Sequence, residues 1–295
     1  ACIVRQSRAL KYIADYIGTL VEKQPVHASA NSEVSVGGDV RSSVCAVERS
    51  DGNFTLRNQA PVISYGEHAD DILTTARRAP DAAANDQVLV LLHRADLTFE
   101  RTSEWNTLGF RGTCSPGFRL VASGDVGQIL ADPYADISTR TMLPASHILW
   151  TSLWLGIATA AVEKARGFVR AEARKRPGVT PPASVRLAEL VSQLQMMRAN
   201  VHDTTREYER VMDDADALAS LGFSIRMNNL KVGSSQQVVK IVSEALLICG
   251  MAGYKNEGPY SMGRHLRDAY GTMVMINNDR IYGANATMLL VHKGE

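Results

Sequence analysis

The spacing of apolar residues divides the chain into three zones. Residues 5–24 carry apolar side chains at helical spacing, Ile13 and Ile17 among them, and this pattern predicts a short helix. From about 27 to 135 the helical period is lost, and short apolar runs alternate with Gly, Pro and Asp, which is typical of strands and turns. From about 143 to the end the spacing is helical again.

The middle zone predicts a β domain built from short strands. SSVCAVERSDGNFTLR contains two strand-like runs around Ser-Asp-Gly-Asn, which is a strong hairpin signal. QVLVLLHRA, LTFERT and FRLVAS are further short apolar runs. Many short strands separated by turn residues indicate a sandwich or a barrel.

The third zone predicts a bundle of long helices. Four helical segments are expected, over about 144–176, 182–220, 222–252 and 259–293. RPGVTPP separates the first two, and the glycines of CGMAG end the third. Four long helices joined by short connections predict an antiparallel four-helix bundle.

Composition narrows the function classes. Apolar residues make up 45% and charged residues 21%, and the net charge is +1, which suits a soluble globular protein without a nucleic-acid partner. The four cysteines are isolated and show no metal-ligand spacing, so we expect no metal and a cytoplasmic location. The most apolar stretch, 148–162, is shorter than the ~20 residues of a membrane span, and we expect a buried helix there and no membrane association.

Four short segments are candidates for ligand contact, and each also has a structural interpretation. SEVSVGGDV, at residues 32–40, is either a loop that brings backbone N–H groups onto a phosphate or a plain turn. APVISYGEH places Ser64 in a strand, just before Gly66, and GFRGTCS is a turn. ICGMAG either caps a helix or lets a ligand approach Gly250 and Gly253 closely.

In this order, these segments resemble motifs of the acyl-CoA dehydrogenase superfamily over roughly residues 30–295. SEVSVGGDV is similar to Thr-Glu-Pro-x-x-Gly-Ser-Asp, VISYG to Trp-Ile-Thr-Asn, and LGFRGTCS to Leu-Gly-x-Arg-x-Thr-x-Ser. ICGMAGY is similar to Phe-Gly-Gly-x-Gly, and GRHLRDA to Arg-x-x-Arg-Asp-Ala. The resemblance implies an α+β fold with a central β-barrel followed by the bundle. The expected domains are a short N-terminal helical segment, the barrel and the bundle, over 1–26, 27–138 and 139–295.

The resemblance also implies a flavin enzyme. Its members use FAD to desaturate an acyl thioester at the α,β position: a carboxylate removes the α-proton while the β-hydride moves to flavin N5. We therefore expect an acyl thioester of CoA or a carrier protein as substrate, an electron-transfer flavoprotein as partner, and a homo-oligomer arranged as a dimer of dimers. The residues expected to bind the cofactor are Ser32, Gly37, Gly38, Val62, Ser64, Arg174, Gly250, Gly253, Asn277 and Asn278.

Three departures from the family pattern matter for the chemistry. Ile276 stands where the family has its usual catalytic Glu, and Val62 stands where it has the flavin-packing Trp. A single helix precedes the barrel, where the family has an N-terminal helical domain. Asp279, three residues after Ile276, would share a helix face with it. Asp279 is therefore either a displaced base or a partner of Arg280 or of a facing helix.

Two other functions remain open on these departures. A flavin-dependent monooxygenase of the same fold would use reduced flavin and O₂, but its relatives usually carry a His in the last helix, and here the first His after Asp268 is His292. A non-catalytic flavin-binding subunit of a hetero-oligomer would need no base.

Overall fold

The computed structural model describes residues 11–36 and 39–294. The first residues of the predicted helix over 5–24 therefore lie outside the described part of the chain. The chain divides into two compact units: unit 1 contains the residues up to Thr107 and Arg111–Met142, and unit 2 contains Leu108–Phe110 and the residues from Leu143 onward.

Unit 1 is built on seven strands within the described residues. The strands are β1 His27–Ala30, β2 Glu48–Ser50, β3 Asn53–Ala60, β4 Asp71–Arg77, β5 Gln87–His93, β6 Leu97–Arg101 and β7 Phe118–Asp125. They form a three-stranded sheet in the order β1–β4–β5 and a four-stranded sheet in the order β2–β3–β7–β6. β1 pairs with β4 in parallel, and the other pairs are antiparallel.

The two sheets do not join into a closed barrel in the described part of the chain, so the closed barrel expected from the family resemblance is not observed. They share one hydrophobic core, to which β3 and β7 contribute Phe54, Leu56 and Leu120. Residues alternate between buried and exposed along β3, as expected for a sheet with one face on a core and one in water.

The hairpin between β2 and β3 confirms the Ser-Asp-Gly-Asn prediction. Ser50 pairs with Asn53, so the loop has two residues, Asp51 and Gly52. Their φ angles are +50° and +81°. Two successive left-handed residues are what a tight turn between twisted antiparallel strands requires, and Asp-Gly adopts them readily.

The three-stranded sheet is buried on both faces. Helix α1, Lys11–Lys23, and the short helix α2, Tyr134–Ile137, supply Ile13 and Tyr134 to a second core. Leu73 of β4 and Leu89 and Leu91 of β5 complete it. This double coverage explains why QVLVLLH is apolar at every position except its ends.

Unit 2 is helical. Its helices are α3 Leu143–Lys175, α4 Ala183–Val211, α5 Ala215–Ala219, α6 Leu221–Cys249, α7 Met251–Tyr254, α8 Gly263–Val274 and α9 Asn278–Leu289. Helix α6 packs against α3, α4 and α8. Trp154, Leu190, Met197 and Val238 lie in the shared core.

Two of the predicted helices differ from the prediction. The segment predicted over 182–220 stops at Val211 and continues as the separate short α5. The segment predicted over 259–293 is broken into α8 and α9 at residues 275–277.

One helical stretch, Tyr134–Lys175, is long and apolar enough to cross a membrane by length and composition alone, and 39% of its most apolar window is buried. A core helix of a soluble protein has the same properties.

Candidate functional site

Glu33 organises the loop after β1 in unit 1. Its carboxylate accepts backbone N–H bonds from Val44 at 2.8 Å and Cys45 at 2.9 Å, and a hydrogen bond from the Ser43 hydroxyl. Glu33 is only 4% exposed, and a buried charge is tolerated when its oxygens are hydrogen-bonded in this way. Glu33 therefore holds the two ends of this loop together through hydrogen bonds to residues 43–45.

Ser32 lies half-buried at the start of the same loop. Gly37 and Gly38 lie outside the described residues, so their contact with a phosphate stays a prediction. Asn31, next to Ser32, donates a long hydrogen bond of 3.4 Å to the Tyr134 hydroxyl. Its Oδ1 is buried without a hydrogen-bond partner, and such an atom is a position where a ligand donor can bind.

A buried hydrogen-bond bridge joins the ends of β1 and β3. The Asn58 amide donates to Thr74 Oγ1 at 3.0 Å, and the Thr74 hydroxyl donates to the Ala30 carbonyl at 2.8 Å. Ser32 follows Ala30 by two residues, and Val62 follows Asn58 by four. The bridge therefore fixes the starting points of both segments that the family resemblance assigns to the cofactor.

Ser64 lies on an exposed turn, and its predicted place in a strand is wrong. β3 ends at Ala60, and Tyr65 has a φ of +55°, which no strand allows. The Ser64 hydroxyl lies 2.8 Å from the hydroxyl of Ser115, which in turn donates to the Thr113 carbonyl at 3.1 Å. The hydroxyl of Ser64 is thus oriented by a fixed neighbour but remains open to solvent.

This surface of unit 1 fits the predicted contacts of a flavin. Val62 is 40% exposed and offers an apolar contact. The Ser64 hydroxyl donates its proton to Ser115, because Ser115 donates its own to Thr113, so Ser64 offers a ligand an acceptor, whereas Ser32 offers a hydroxyl donor. The unpartnered Oδ1 of Asn31, next to Ser32 in the chain, is a buried acceptor. A flavin ring has apolar faces and polar edge atoms, and this donor set matches that chemistry.

In unit 2, Ile276 lies in a tight turn between α8 and α9. Its φ is +52° and it is 39% exposed. Asn277 caps α9, because its side-chain oxygen accepts the backbone N–H of Asp279 at 2.8 Å. Since Ile276 precedes the start of α9, the predicted helix face shared by Ile276 and Asp279 does not exist. Asp279 is exposed in the first turn of α9.

Lys231 of α6 lies beneath this turn. Its Nζ donates to the Ile276 carbonyl at 2.5 Å and to Asn278 Oδ1 at 2.7 Å, and it stands 5.9 Å from the centre of the Trp154 ring. Lys231 is fully buried, and burial lowers its pKa to about 8. Asn278 also donates to Ser235 Oγ at 3.1 Å, so Asn277 and Asn278, predicted to bind the cofactor, both have structural partners inside unit 2.

The glycines of ICGMAG fill backbone roles. Gly250 ends α6 with a φ of +54° and a ψ of −134°, a conformation that favours glycine. A Cβ at Gly253 would lie 2.8 Å from Cys249 Cβ, so Gly253 allows α7 to pack closely on α6. Arg174 is exposed in the last turn of α3. Nothing in the structure tests their predicted contact with a cofactor.

Two of the resembling motifs meet within unit 2. The Asp268 carboxylate accepts the backbone N–H of Phe110 at 2.7 Å. A Cβ on Gly109 would overlap the Arg267 carbonyl group. LGF and RDA therefore pack backbone against backbone.

A second polar cluster, in unit 1, was not expected from the sequence. The Tyr12 hydroxyl lies 2.8 Å from His93 Nε2, His93 Nδ1 lies 2.6 Å from Asp71, and the Tyr16 hydroxyl donates to Asp71 at 2.5 Å. The hydrogen bond to Asp71 raises the pKa of His93. Burial would raise the pKa of Asp71, but the bonds from His93 and Tyr16 outweigh it and lower that pKa. The cluster borders a cleft of about 630 Å³.

The sequence contains only weak signals for the network around Lys231 and for the cluster around Asp71 and His93. Lys231 is the single cation in the run MNNLKVGSS, and a lysine in an apolar helical run is the available signal. Tyr12, Asp71 and His93 are far apart in sequence. The pairing of β4 with β5 sets Asp71 opposite His93, and the packing of α1 on this sheet adds Tyr12.

Comparison with known proteins finds a family match in the C-terminal part of the chain. Residues 138–275 match the model of the acyl-CoA dehydrogenase C-terminal domain. A mitochondrial isovaleryl-CoA dehydrogenase of Arabidopsis thaliana is 22% identical over 259 residues, which cover 86% of this chain and 60% of that protein. The chain thus spans about three-fifths of the length of the curated relatives that it matches first.

Solved structures share the fold. The FMN-bound TdsC of Paenibacillus sp. A11-2, a dibenzothiophene monooxygenase, superposes with a TM-score of 0.82 at 18% identity, over 100% of this chain and 78% of that one. Butyryl-CoA dehydrogenase of Megasphaera elsdenii superposes with a TM-score of 0.76 at 21% identity, over 94% of this chain and 71% of that one. Residues 138–275 thus match the acyl-CoA dehydrogenase C-terminal domain, and in its motifs and its fold the chain as a whole is similar to members of the acyl-CoA dehydrogenase superfamily.

Proposed function

We propose that this chain binds a flavin and takes part in a flavin-dependent oxidation. The observation that carries the proposal is the exposed segment of unit 1 at Val62 and Ser64, where an exposed apolar side chain lies two residues before an exposed hydroxyl that is hydrogen-bonded to Ser115. When bound, the flavin supplies the two-electron redox chemistry of the reaction. FAD is the cofactor that the family resemblance suggests, and FMN is the alternative because a neighbour of the same fold is named as FMN-bound.

A flavin titration tests this proposal. The protein is purified, its visible spectrum is recorded, and FAD and FMN are titrated into the flavin-free sample. Ser64→Ala should weaken binding about fivefold or more, because it removes one hydrogen bond. Ser123→Ala, an exposed serine on β7, is the matched control and should bind like the parent. Failure of both flavins to bind the parent would overturn the proposal.

The residues at the Ile276 turn argue against desaturation, which makes monooxygenation the first candidate reaction although Asn278–Leu289 carries no His. Desaturation of an acyl thioester, as the family resemblance describes it, needs a carboxylate at the turn that holds Ile276, and neither Met275 nor Ile276 can accept a proton. Monooxygenation of a substrate by O₂ and reduced flavin does not depend on that carboxylate. This interpretation agrees with the fold shared with TdsC.

Desaturation remains the second candidate because the relatives matched by sequence include isovaleryl-CoA dehydrogenases. In that case an acyl thioester of CoA or a carrier protein is the substrate, Asp279 is the available carboxylate near the turn, and an electron-transfer flavoprotein is the electron acceptor. Anaerobic addition of acyl-CoAs separates the two reactions. Bleaching of the flavin band supports desaturation, whereas product that forms only with reduced flavin and O₂ supports monooxygenation. Flavin that takes part in neither supports a non-catalytic subunit.

We also propose that the chain self-associates, as a dimer of dimers. The middle of α6 offers no surface for such a contact, because Val238 and Ile241 are fully buried in the core of unit 2. The apolar exposure lies instead at the corner of α6 and α7, where Leu247, Met251 and Tyr254 are 58%, 68% and 73% exposed. Light scattering at micromolar protein tests this proposal, and Met251→Lys should lower the measured mass if this corner is the contact.

A further inference from the structure

The turn at Ile276 is held in a conformation that its own sequence disfavours. Ile276 has a φ of +52°, and a β-branched residue is rarely found in the left-handed region because its side chain crowds the backbone. The side chain is 39% exposed, so packing around it does not account for the turn. Interactions with other residues of unit 2 must therefore hold the backbone in this conformation.

Lys231 of α6 provides these interactions as hydrogen bonds. Its Nζ donates to the backbone carbonyl of Ile276 itself, at 2.5 Å, and to the side chain of Asn278 on the far side of the turn, at 2.7 Å. Ser235, one turn further along α6, bonds Asn278 at 3.1 Å and accepts the Thr272 hydroxyl of α8 on its carbonyl at 3.0 Å. Both flanks of the turn are therefore tied to one helix.

The ammonium of Lys231 is buried without a counter-ion. Among the described residues no carboxylate lies within ion-pair distance of its Nζ. On α3 it faces the Trp154 ring and the buried His147, whose pKa its charge helps to lower. Asp279 and Arg280, the charged residues of α9 nearest the turn, are exposed.

A buried lysine of this kind does not stabilise the folded state. A buried ion with no opposite charge destabilises the folded state relative to a well-packed apolar residue. Its three N–H donors, in contrast, can bind two oxygens in fixed directions, and charge-assisted hydrogen bonds are the strong ones. The arrangement at Ile276 and Asn278 uses that ability.

We propose that Lys231 is a positioning residue for the candidate active site: its ammonium holds the turn that presents Ile276, at the position where the family carries its catalytic carboxylate. The functional meaning of this turn rests on the proposed function, whereas the structural coupling of Lys231 to the turn does not. Residue 276 would then face the reacting molecule in a fixed direction whatever its side chain, because the hold acts on the backbone.

Amide hydrogen exchange tests the coupling in the intact chain. Lys231→Met should speed exchange of the amides at residues 277–280 about tenfold, the effect of losing a hydrogen bond to a charged donor. Lys240→Met, an exposed lysine of the same helix, is the matched control and should leave those rates unchanged. In an Ile276→Gly background, Lys231→Met should add less than about threefold, because glycine adopts a positive φ without help.

The parent protein gives an independent test should Lys231→Met fail to fold. Once corrected for base catalysis, exchange at 277–280 should rise above pH about 8, where the amine loses its charge, while exchange within 238–242 of α6 should not. Equal acceleration by Lys231→Met in the parent and in the Ile276→Gly background, or a parent profile with no rise, would overturn the proposal.

Flavin binding measured on the same samples separates the two proposals. If the parent binds no flavin but exchange at 277–280 responds to Lys231 as expected, the positioning role stands and the proposed function fails. If flavin binds and exchange ignores Lys231, the positioning role fails alone. If both hold, Lys231→Met should alter the flavin spectrum or the substrate Kd, and Lys240→Met should not.

Discussion

The carboxylate of Asp268 accepts the backbone N–H of Phe110, 158 residues earlier in the chain, at 2.7 Å. Phe110 itself has a φ of +51°, which is uncommon for a residue other than glycine. This hydrogen bond attaches the Leu108–Phe110 segment to α8 within unit 2. Gly109 allows the close approach that the bond requires, because a Cβ there would overlap the Arg267 carbonyl.

Gly109→Ala should destabilise unit 2. The new Cβ would overlap the Arg267 carbonyl oxygen, and a backbone atom cannot move away cheaply. We expect a loss of about 2–4 kcal/mol in the free energy of unfolding, as for other overpacked sites. Gly112→Ala is the control, because a Cβ there meets no atom within 4 Å. Urea unfolding of both variants measures the difference, and similar midpoints would contradict the packing described here.

Lys231 should make stability rise with pH in the alkaline range. Its pKa is about 8 in the folded protein and 10.5 ordinarily, so between these values the unfolded chain binds more protons and the folded state gains free energy as pH increases. The gain is at most about 3 kcal/mol. Unfolding curves at pH 7.5, 9 and 10 (roughly spanning that window) should show that the free energy of unfolding of the parent increases relative to that of Lys231→Met. A constant difference between the two would contradict the lowered pKa.

His147 should also make the free energy of unfolding increase with pH, in this case in the acid range. It is 3% exposed, its Nδ1 lies 3.2 Å from the Met227 carbonyl, and burial lowers its pKa to about 4. Between pH about 6.5 and 4 the unfolded chain binds the extra proton, so stability falls as the solution is acidified. His147→Gln should lose less stability than the parent over this interval. His202→Gln, on the exposed face of α4, should follow the parent curve.

Ile276→Glu tests the chemistry of the turn. If flavin and an acyl thioester bind but no base is available, a carboxylate here should raise desaturation about 10²–10⁴-fold, the usual contribution of a positioned general base. Val274→Glu is the control, because Val274 is 77% exposed at the end of α8, outside the turn. Stopped-flow reduction of the flavin measures the rate. A parent that is already fast, and that Asp279→Asn inactivates, would identify Asp279 as the base instead.

Local patterns were sufficient where local chemistry decides the structure. The Asp51–Gly52 hairpin was predictable because both residues accept a positive φ, and the continuous apolar run of β5 indicated a buried strand. The family was recognisable because short motifs stood in the right order, although Ile276 replaced the expected Glu.

The break between α8 and α9 was not predictable from local sequence. MVMINND has no Gly or Pro, and Met, Val and Ile continue a helix well enough that nothing marks residue 276 as a stop. The break is made by Lys231, 45 residues away in sequence, and by the Asn277 cap. The missing barrel closure has a similar origin, because strand alternation defines a buried face and leaves the pairing at the sheet edges undefined.

The double coverage of the three-stranded sheet limits how unit 1 can be dissected. Leu73, Leu89 and Leu91 point away from the shared sheet core and are covered by α1 and α2. A recombinant fragment that starts at β1 would keep α2 but lose the cover of α1, and the apolar sheet surface exposed in this way favours aggregation. Expression boundaries for this unit should therefore keep Lys11–Lys23, and limited proteolysis within that helix should reduce solubility before it alters the strands.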